Sequence, residues 1–122
     1  MNAVFAVFIG GGLGSVCRYA LSLWLGKHSS GFPSATFAAN ILSCIVLALA
    51  WMYAAKHIDM NPELKLMILV GFCGGFSTFS TFSLETFQLL EEGKFFLAAI
   101  YVLLSVSLCL GILAFLFSQQ IK

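Results

Sequence analysis

An all-α integral membrane domain of four spanning helices is the fold class this sequence predicts, and three observations predict it. Of 122 residues, 61% are hydrophobic and only 9% are charged, against roughly 25% charged in ordinary soluble domains. Mean hydropathy is +1.02. Four apolar runs, Ala3 to Leu25, Ser34 to Ala55, Leu64 to Leu90 and Phe95 to Phe117, are each long enough at about 1.5 Å per residue to cross a hydrocarbon core about 30 Å thick. The connections near Gly26 to Pro33, Lys56 to Glu63 and Glu91 to Lys94 are short. Residues 1–122 therefore read as a single transmembrane domain, and any chemistry belongs at bilayer depth.

The first run follows Met1-Asn2-Ala3, without the Lys or Arg a secretory leader carries, and is expected to stay as a helix. Its pairs Gly10/Gly14 and Gly11/Ser15 have the spacing that lets helix backbones approach closely. A dinucleotide-binding frame is excluded, because G-x-G-x-x-G would end on Ser15 and no strand precedes it. Arg18 falls near the end of the run, where it snorkels to the interface or sits in a polar vestibule. The second run places Thr36, Asn40 and Ser43 on one helical face. An amide at this depth needs partners, either on a neighbouring helix or from a permeating species.

The third run opens with Asn61-Pro62-Glu63, a cap residue, a proline in the first turn and an acid near the positive helix end. Its centre, G-F-C-G-G-F-S-T-F-S-T-F at 71–82, is poor helix material, since each Gly costs about 1 kcal/mol relative to Ala. A break is expected at Gly74-Gly75, extending to Ser77, with unpaired carbonyls that suit a cation on one side and unpaired amides on the other. Beyond it run three rows: Phe76, Phe79 and Phe82; Ser77, Ser80 and Ser83; and Thr78, Thr81 and Glu85. Ring edges carry partial positive charge and hydroxyls donate hydrogen bonds. The fourth run supplies Tyr101, Ser105 and Cys109 along one face.

Charge sets an expectation for assembly. Lys56, Lys65 and Lys122 fall on one side of four spans; Lys27, Lys94 and Arg18 fall on the other. Orientation follows an imbalance of Lys and Arg between the sides, and here they tie. Insertion in both orientations and an antiparallel homodimer follow as the expectation, a second copy supplying walls that one four-helix bundle lacks. Cys17, Cys44, Cys73 and Cys109 are scattered one per run, without zinc or redox spacing, and read as small apolar packing residues. His28 and His57 lie at loop ends and read as solvated or interfacial. A lining of neutral donors and ring edges binds a small, halide-sized anion reversibly, as conduction demands.

At these residues a family resemblance becomes specific. The motif at 71–82, with G-G-G-L-G-S-V-C-R-Y at 10–19 and T-F-A-A-N at 36–40, resembles the Fluc family of bacterial fluoride channels, also called CrcB, along all four helices. The resemblance implies passive fluoride export across the bacterial inner membrane by an antiparallel dual-topology dimer with two pores and a central structural sodium ion. It implies that Phe79 and Phe82 face fluoride and that Asn40 donates to it. Ser80, Thr81 and Ser83 then belong to a polar track with Tyr101 and Ser105, and Arg18 and Glu85 to a pore vestibule. Gly74 and Ser77 offer backbone carbonyls to sodium. Departures from the family pattern are Ser77 where Thr is frequent, Ser43 where Gly is common and Cys109 where Ser often lies.

The rival from another class is a small proton-coupled dual-topology exporter, which needs a carboxylate that changes protonation. Glu85, near the end of the third run, is the acid within the helical segments and reads better as part of a solvated mouth. A structural subunit of a larger complex is the third class. Enzyme chemistry is excluded, because no nucleophile and base pair can be named.

Overall fold

The structure is a computed structural model describing residues 2–26 and 31–121. Lys27, His28 and Lys122, which enter the charge count and the histidine reading, lie outside the described residues. Among the described residues, four stretches are long and apolar enough to cross a membrane: Ala3–Gly26, Ser34–Lys56, Pro62–Glu91 and Phe95–Ser118. Three are uninterrupted helices, α1 (Ala3–Gly26), α2 (Ser34–Lys56) and, last in the chain, α6 (Phe95–Ser118). The third span is built of α3 (Pro62–Leu66), a π-helical segment (Met67–Phe72), α4 (Cys73–Phe76) and α5 (Phe79–Glu91).

Polar residues set the helix ends. Asn2 Oδ1 accepts from the Val4 amide at 3.0 Å at the start of α1. Asn61 Oδ1 accepts from the amides of Glu63 (2.8 Å) and Leu64 (3.4 Å), and Pro62 occupies the first turn, where its missing N–H costs nothing. Gly93 takes the left-handed conformation at φ 74° and turns the chain from α5 into α6. The Lys94 amide there donates to the Leu89 carbonyl at 2.9 Å, satisfying one of the last carbonyls of α5.

The first half of the third span lies along α1, and glycines on both sides make the contact. A Cβ at Gly10 would run into the Met67 carbonyl oxygen, and one at Gly14 into the Phe72 carbonyl oxygen. In return, a Cβ at Gly71 would lie 2.7 Å from the Val7 carbonyl oxygen, and one at Gly75 would strike the Gly11 carbonyl. Two interlocked Gly-xxx-Gly pairs thus bring backbone against backbone, the packing available where lipid removes the hydrophobic drive. The π-helical segment sits at this crossing.

Gly74 and Gly75, expected to interrupt the span, are helical within α4. The backbone leaves the helix later, at Ser77 (φ −78°, ψ 158°) and Thr78 (φ −153°, ψ 122°). The later exit from the helix has a physical reason. Gly75 is present because α1 leaves no room for a side chain, whereas the extended pair is held by hydrogen bonds that neither glycine makes. The buried core is small and mostly of small residues, Ala6, Ala39, Ala48, Ala54 and Ala98 among them, with Tyr101 the largest fully buried side chain. Exposed Phe8, Trp24, Phe96 and Leu110 suit helices whose outer solvent is hydrocarbon.

Candidate functional site

The polar face of α2 is matched, residue for residue, by the third span. Ser43 Oγ donates to the Cys73 carbonyl at 2.9 Å, which also accepts from the Ser77 amide (3.0 Å) and the Ser77 hydroxyl (2.8 Å). Asn40, a turn earlier, clamps the extended pair: the Thr78 amide donates to Asn40 Oδ1 at 2.8 Å, and Asn40 Nδ2 donates to the Thr78 carbonyl at 3.3 Å. Another turn earlier, Thr36 Oγ1 donates to Glu85 Oε1 at 2.8 Å. One side chain therefore supplies Thr78 with both partners that the interrupted helix withdraws. An Asn amide has two N–H groups, and this clamp uses one.

Thr78 in turn starts α5 as its cap, its Oγ1 accepting from the Thr81 amide at 3.2 Å. That hydroxyl also donates to Thr81 Oγ1 at 3.1 Å and lies 3.3 Å from Ser80 Oγ. Where α4 ends, Arg18 Nε reaches from α1 to donate to the Gly75 carbonyl at 3.1 Å. Among the described residues the Gly74 and Ser77 carbonyls remain without a hydrogen bond, and a Cβ at Gly74 would meet nothing within 4 Å.

Two recesses flank this interruption. One is a groove of about 350 Å³ lined by Asn40, Cys44, Ser77, Thr78, Phe79, Phe82, Ser105, Val106, Cys109 and Leu110. Phe79 is 80% exposed, its ring centroid 5.8 Å from that of Phe82, which lies 5.0 Å from the Tyr101 ring. Ser105 is 6% exposed, and its hydroxyl is unpartnered among the described residues. A buried hydroxyl without a partner costs about 1–3 kcal/mol. The second recess is bounded by Ser15, Arg18, Tyr19, Ser22, Ala35, Thr36, Thr81 and Glu85.

Tyr101 stands between the two. Its ring packs on Phe82, and its hydroxyl donates to Glu85 Oε2 at 2.8 Å. Glu85 is thus not simply solvated, as expected of a mouth residue. Each carboxylate oxygen accepts a hydroxyl, from Thr36 on α2 and Tyr101 on α6, and the side chain is half-buried. The carboxylate ties three spans together because it offers two acceptor oxygens where two helix faces each present one hydroxyl.

The structure therefore brings Asn40, Phe79, Phe82 and Ser105 to one groove, and Arg18, Thr81 and Glu85 to the other recess. Ser80 and Ser83 are exposed and line neither. His57 is exposed and stacks on Tyr53, centroids 4.0 Å apart. Sequence reasoning left two groups out of the site. Thr36 stood on the right face of α2 without an assigned partner. Cys44, read as packing, lines the groove four residues beyond Asn40, and that spacing was the available signal; Cys109, which also lines it, stood in the expected row with Tyr101 and Ser105.

Known proteins resemble this sequence over nearly its whole length. The family model described as CrcB-like protein, Camphor Resistance (CrcB), matches residues 5–117. A protein named fluoride-specific ion channel FluC from Flavobacterium psychrophilum is 42% identical over 93% of this chain and 91% of its own. Its namesake from Serratia proteamaculans is 42% identical over 95% and 93%, and that from Geotalea daltonii 41% identical over 90% of each. With four membrane spans, an interrupted third span and a match from residue 5 to residue 117, the chain belongs to the CrcB family.

Proposed function

We propose that this chain is a fluoride-selective ion channel of the bacterial inner membrane, releasing fluoride passively and so preventing its accumulation. The observation that carries the reading is the groove at Ser77–Thr78. It is lined by Asn40, Ser105, Phe79 and Phe82 and by no lysine or arginine, residue types whose N–H and O–H groups and ring edges can meet an anion. An anion entering such a site exchanges water for neutral donors and ring edges. Binding is then strong enough to enter and weak enough to leave. Tyr101 links the groove to the recess at Arg18 and Glu85, giving a track with Thr81 on its wall and Ser80 and Ser83 nearby on α5.

Each groove is open on one side, which supports an antiparallel homodimer with two such pathways. The open face at Gly74 supports the same assembly, since a second copy of the interruption can approach there. The unpaired Gly74 and Ser77 carbonyls fit a hard cation, which takes oxygen ligands, so a structural sodium ion at the centre of the dimer would be held by these groups from both copies. Its charge would offset the facing carbonyl dipoles.

The test is fluoride efflux from liposomes holding purified protein, with no proton gradient, repeated with Phe79→Ile and Phe82→Ile. Efflux is expected from the parent and its loss from either variant. Strict dependence on a proton gradient would instead establish the exporter, and undiminished efflux in both variants would remove the rings from the mechanism.

A further inference from the structure

The groove holds one pair of groups that fluoride permeation does not use. Cys44 on α2 and Cys109 on α6 both line it, and both are half-buried free thiols. α2 packs on α6, and the two thiols sit on the wall of the same groove. Cys73 is buried on α4 and Cys17 is exposed on α1, and neither lines the groove. Among the described residues no three His, Cys, Asp or Glu side chains converge on a common centre.

A thiol pair without a third ligand selects strongly. Structural zinc takes four ligands and calcium takes six or more oxygens, so neither is served. Soft thiophilic metals that accept two sulfurs in line are served, because soft ligands select soft metals. We propose that Cys44 and Cys109 form a two-coordinate site for a thiophilic cation of the mercury(II) type, and that its occupancy closes the groove. Two S–H bonds break, two metal–sulfur bonds form and two protons leave to solvent, with no change of oxidation state. The product is uncharged, which suits a wall that also carries Val106 and Leu110. Its position beside Asn40 and Ser105 puts the metal across the space an anion would cross.

The site stands on two free thiols lining one groove from packed helices; the closure rests on the fluoride reading above, and the experiment separates them. Protein carrying Cys17→Ser is treated with mercuric nitrate in chloride-free buffer, and bound mercury, free thiols and fluoride efflux from liposomes are measured. One mercury per chain is expected, with two thiols lost together. Cys44→Ser, Cys44→Ala or Cys109→Ser should each weaken mercury retention against a competing monothiol about 100-fold or more, because the second sulfur no longer binds intramolecularly. Sensitivity of efflux to mercury, normalised to each variant's own flux, should fall in parallel. Retention unchanged in variants that stay monodisperse, or one thiol lost per mercury, would overturn the site. Mercury bound as expected with efflux unaffected would overturn the closure, and the mercury and thiol counts decide the site even in a protein that conducts no fluoride.

Discussion

The two halves of the third span are held by opposite means. Pro62 to Phe76 lies on α1 through backbone contacts that only glycine permits, at Gly10, Gly14, Gly71 and Gly75. Phe79 to Glu91 is held by side-chain hydrogen bonds, reaching Thr36 on α2 and Tyr101 on α6 through Glu85. The first half is fixed by shape, with Ser43 and Arg18 bonding only carbonyls in its last turn. The second is fixed by polar groups, which leaves hydroxyls and rings at a surface where an ion can meet them. The change from one mode to the other falls at Ser77–Thr78, where Asn40 supplies the missing backbone partners.

The largest effect should come from breaking the shape-fixed half. Gly75→Val is expected to cost about 3 kcal/mol or more, at the upper end for overpacking, because backbone rather than a movable side chain blocks the new atoms. Loss of monodisperse protein on mild heating would show it. Gly12→Ala is the comparison, since its Cβ meets nothing within 4 Å, and it should leave the protein as stable as the parent or slightly more so.

Next in size is the junction. Asn40→Ala leaves the Thr78 amide without its acceptor and should cost about 1–3 kcal/mol. Asn40→Asp sharpens the distinction between clamp and ion ligand: it keeps an oxygen for the Thr78 amide but loses the donor and adds negative charge. It should retain more stability than Asn40→Ala while abolishing fluoride efflux. Efflux at parental rate in Asn40→Asp would make Asn40 a clamp alone.

In the polar half, Tyr101→Phe removes one of the two hydroxyls on Glu85 and should cost about 1.5–3 kcal/mol, as for a bond to a charged group. Thermal stability measured with Thr36→Val and the double variant would show coupling, because both hydroxyls serve one carboxylate. The smallest change is expected of Ser83→Ala, within about 0.5 kcal/mol as for an exposed substitution. A large loss of efflux with stability intact would mean that the Ser83 face is completed by a second copy.

The spans were legible in hydropathy to within a residue or two at most ends: Ser34 to Ala55 was expected, and Ser34–Lys56 is found. Asn61 and Pro62 marked the start of the third span because capping is local chemistry. The interruption was legible only in part: Ser77 lay at the edge of the expected break, but Thr78 leaves the helix through a clamp supplied by Asn40, far away in the chain. Gly74-Gly75 drew attention as a weak helix, yet Gly71 and Gly75 have the same spacing as Gly10 and Gly14, and that parallel pointed to packing. Nothing in Met67 to Phe72 announces a π-helical turn. The partners of Glu85 were hidden for a similar reason, because two hydroxyl-bearing faces, of α2 and α6, had to be brought to it before its two oxygens could be assigned.

The clamp also sets which changes of chain length the protein can tolerate. Asn40 lies two turns into α2, and its amide must meet Thr78 at one height and one rotation. A residue inserted between Pro33 and Asn40 would swing the amide by about 100° and raise it by about 1.5 Å, removing it from the interruption. An insertion before Pro33 would leave the distance along α2 unchanged. Length variation among relatives should therefore collect in the first connection and be absent from Ser34 to Asn40.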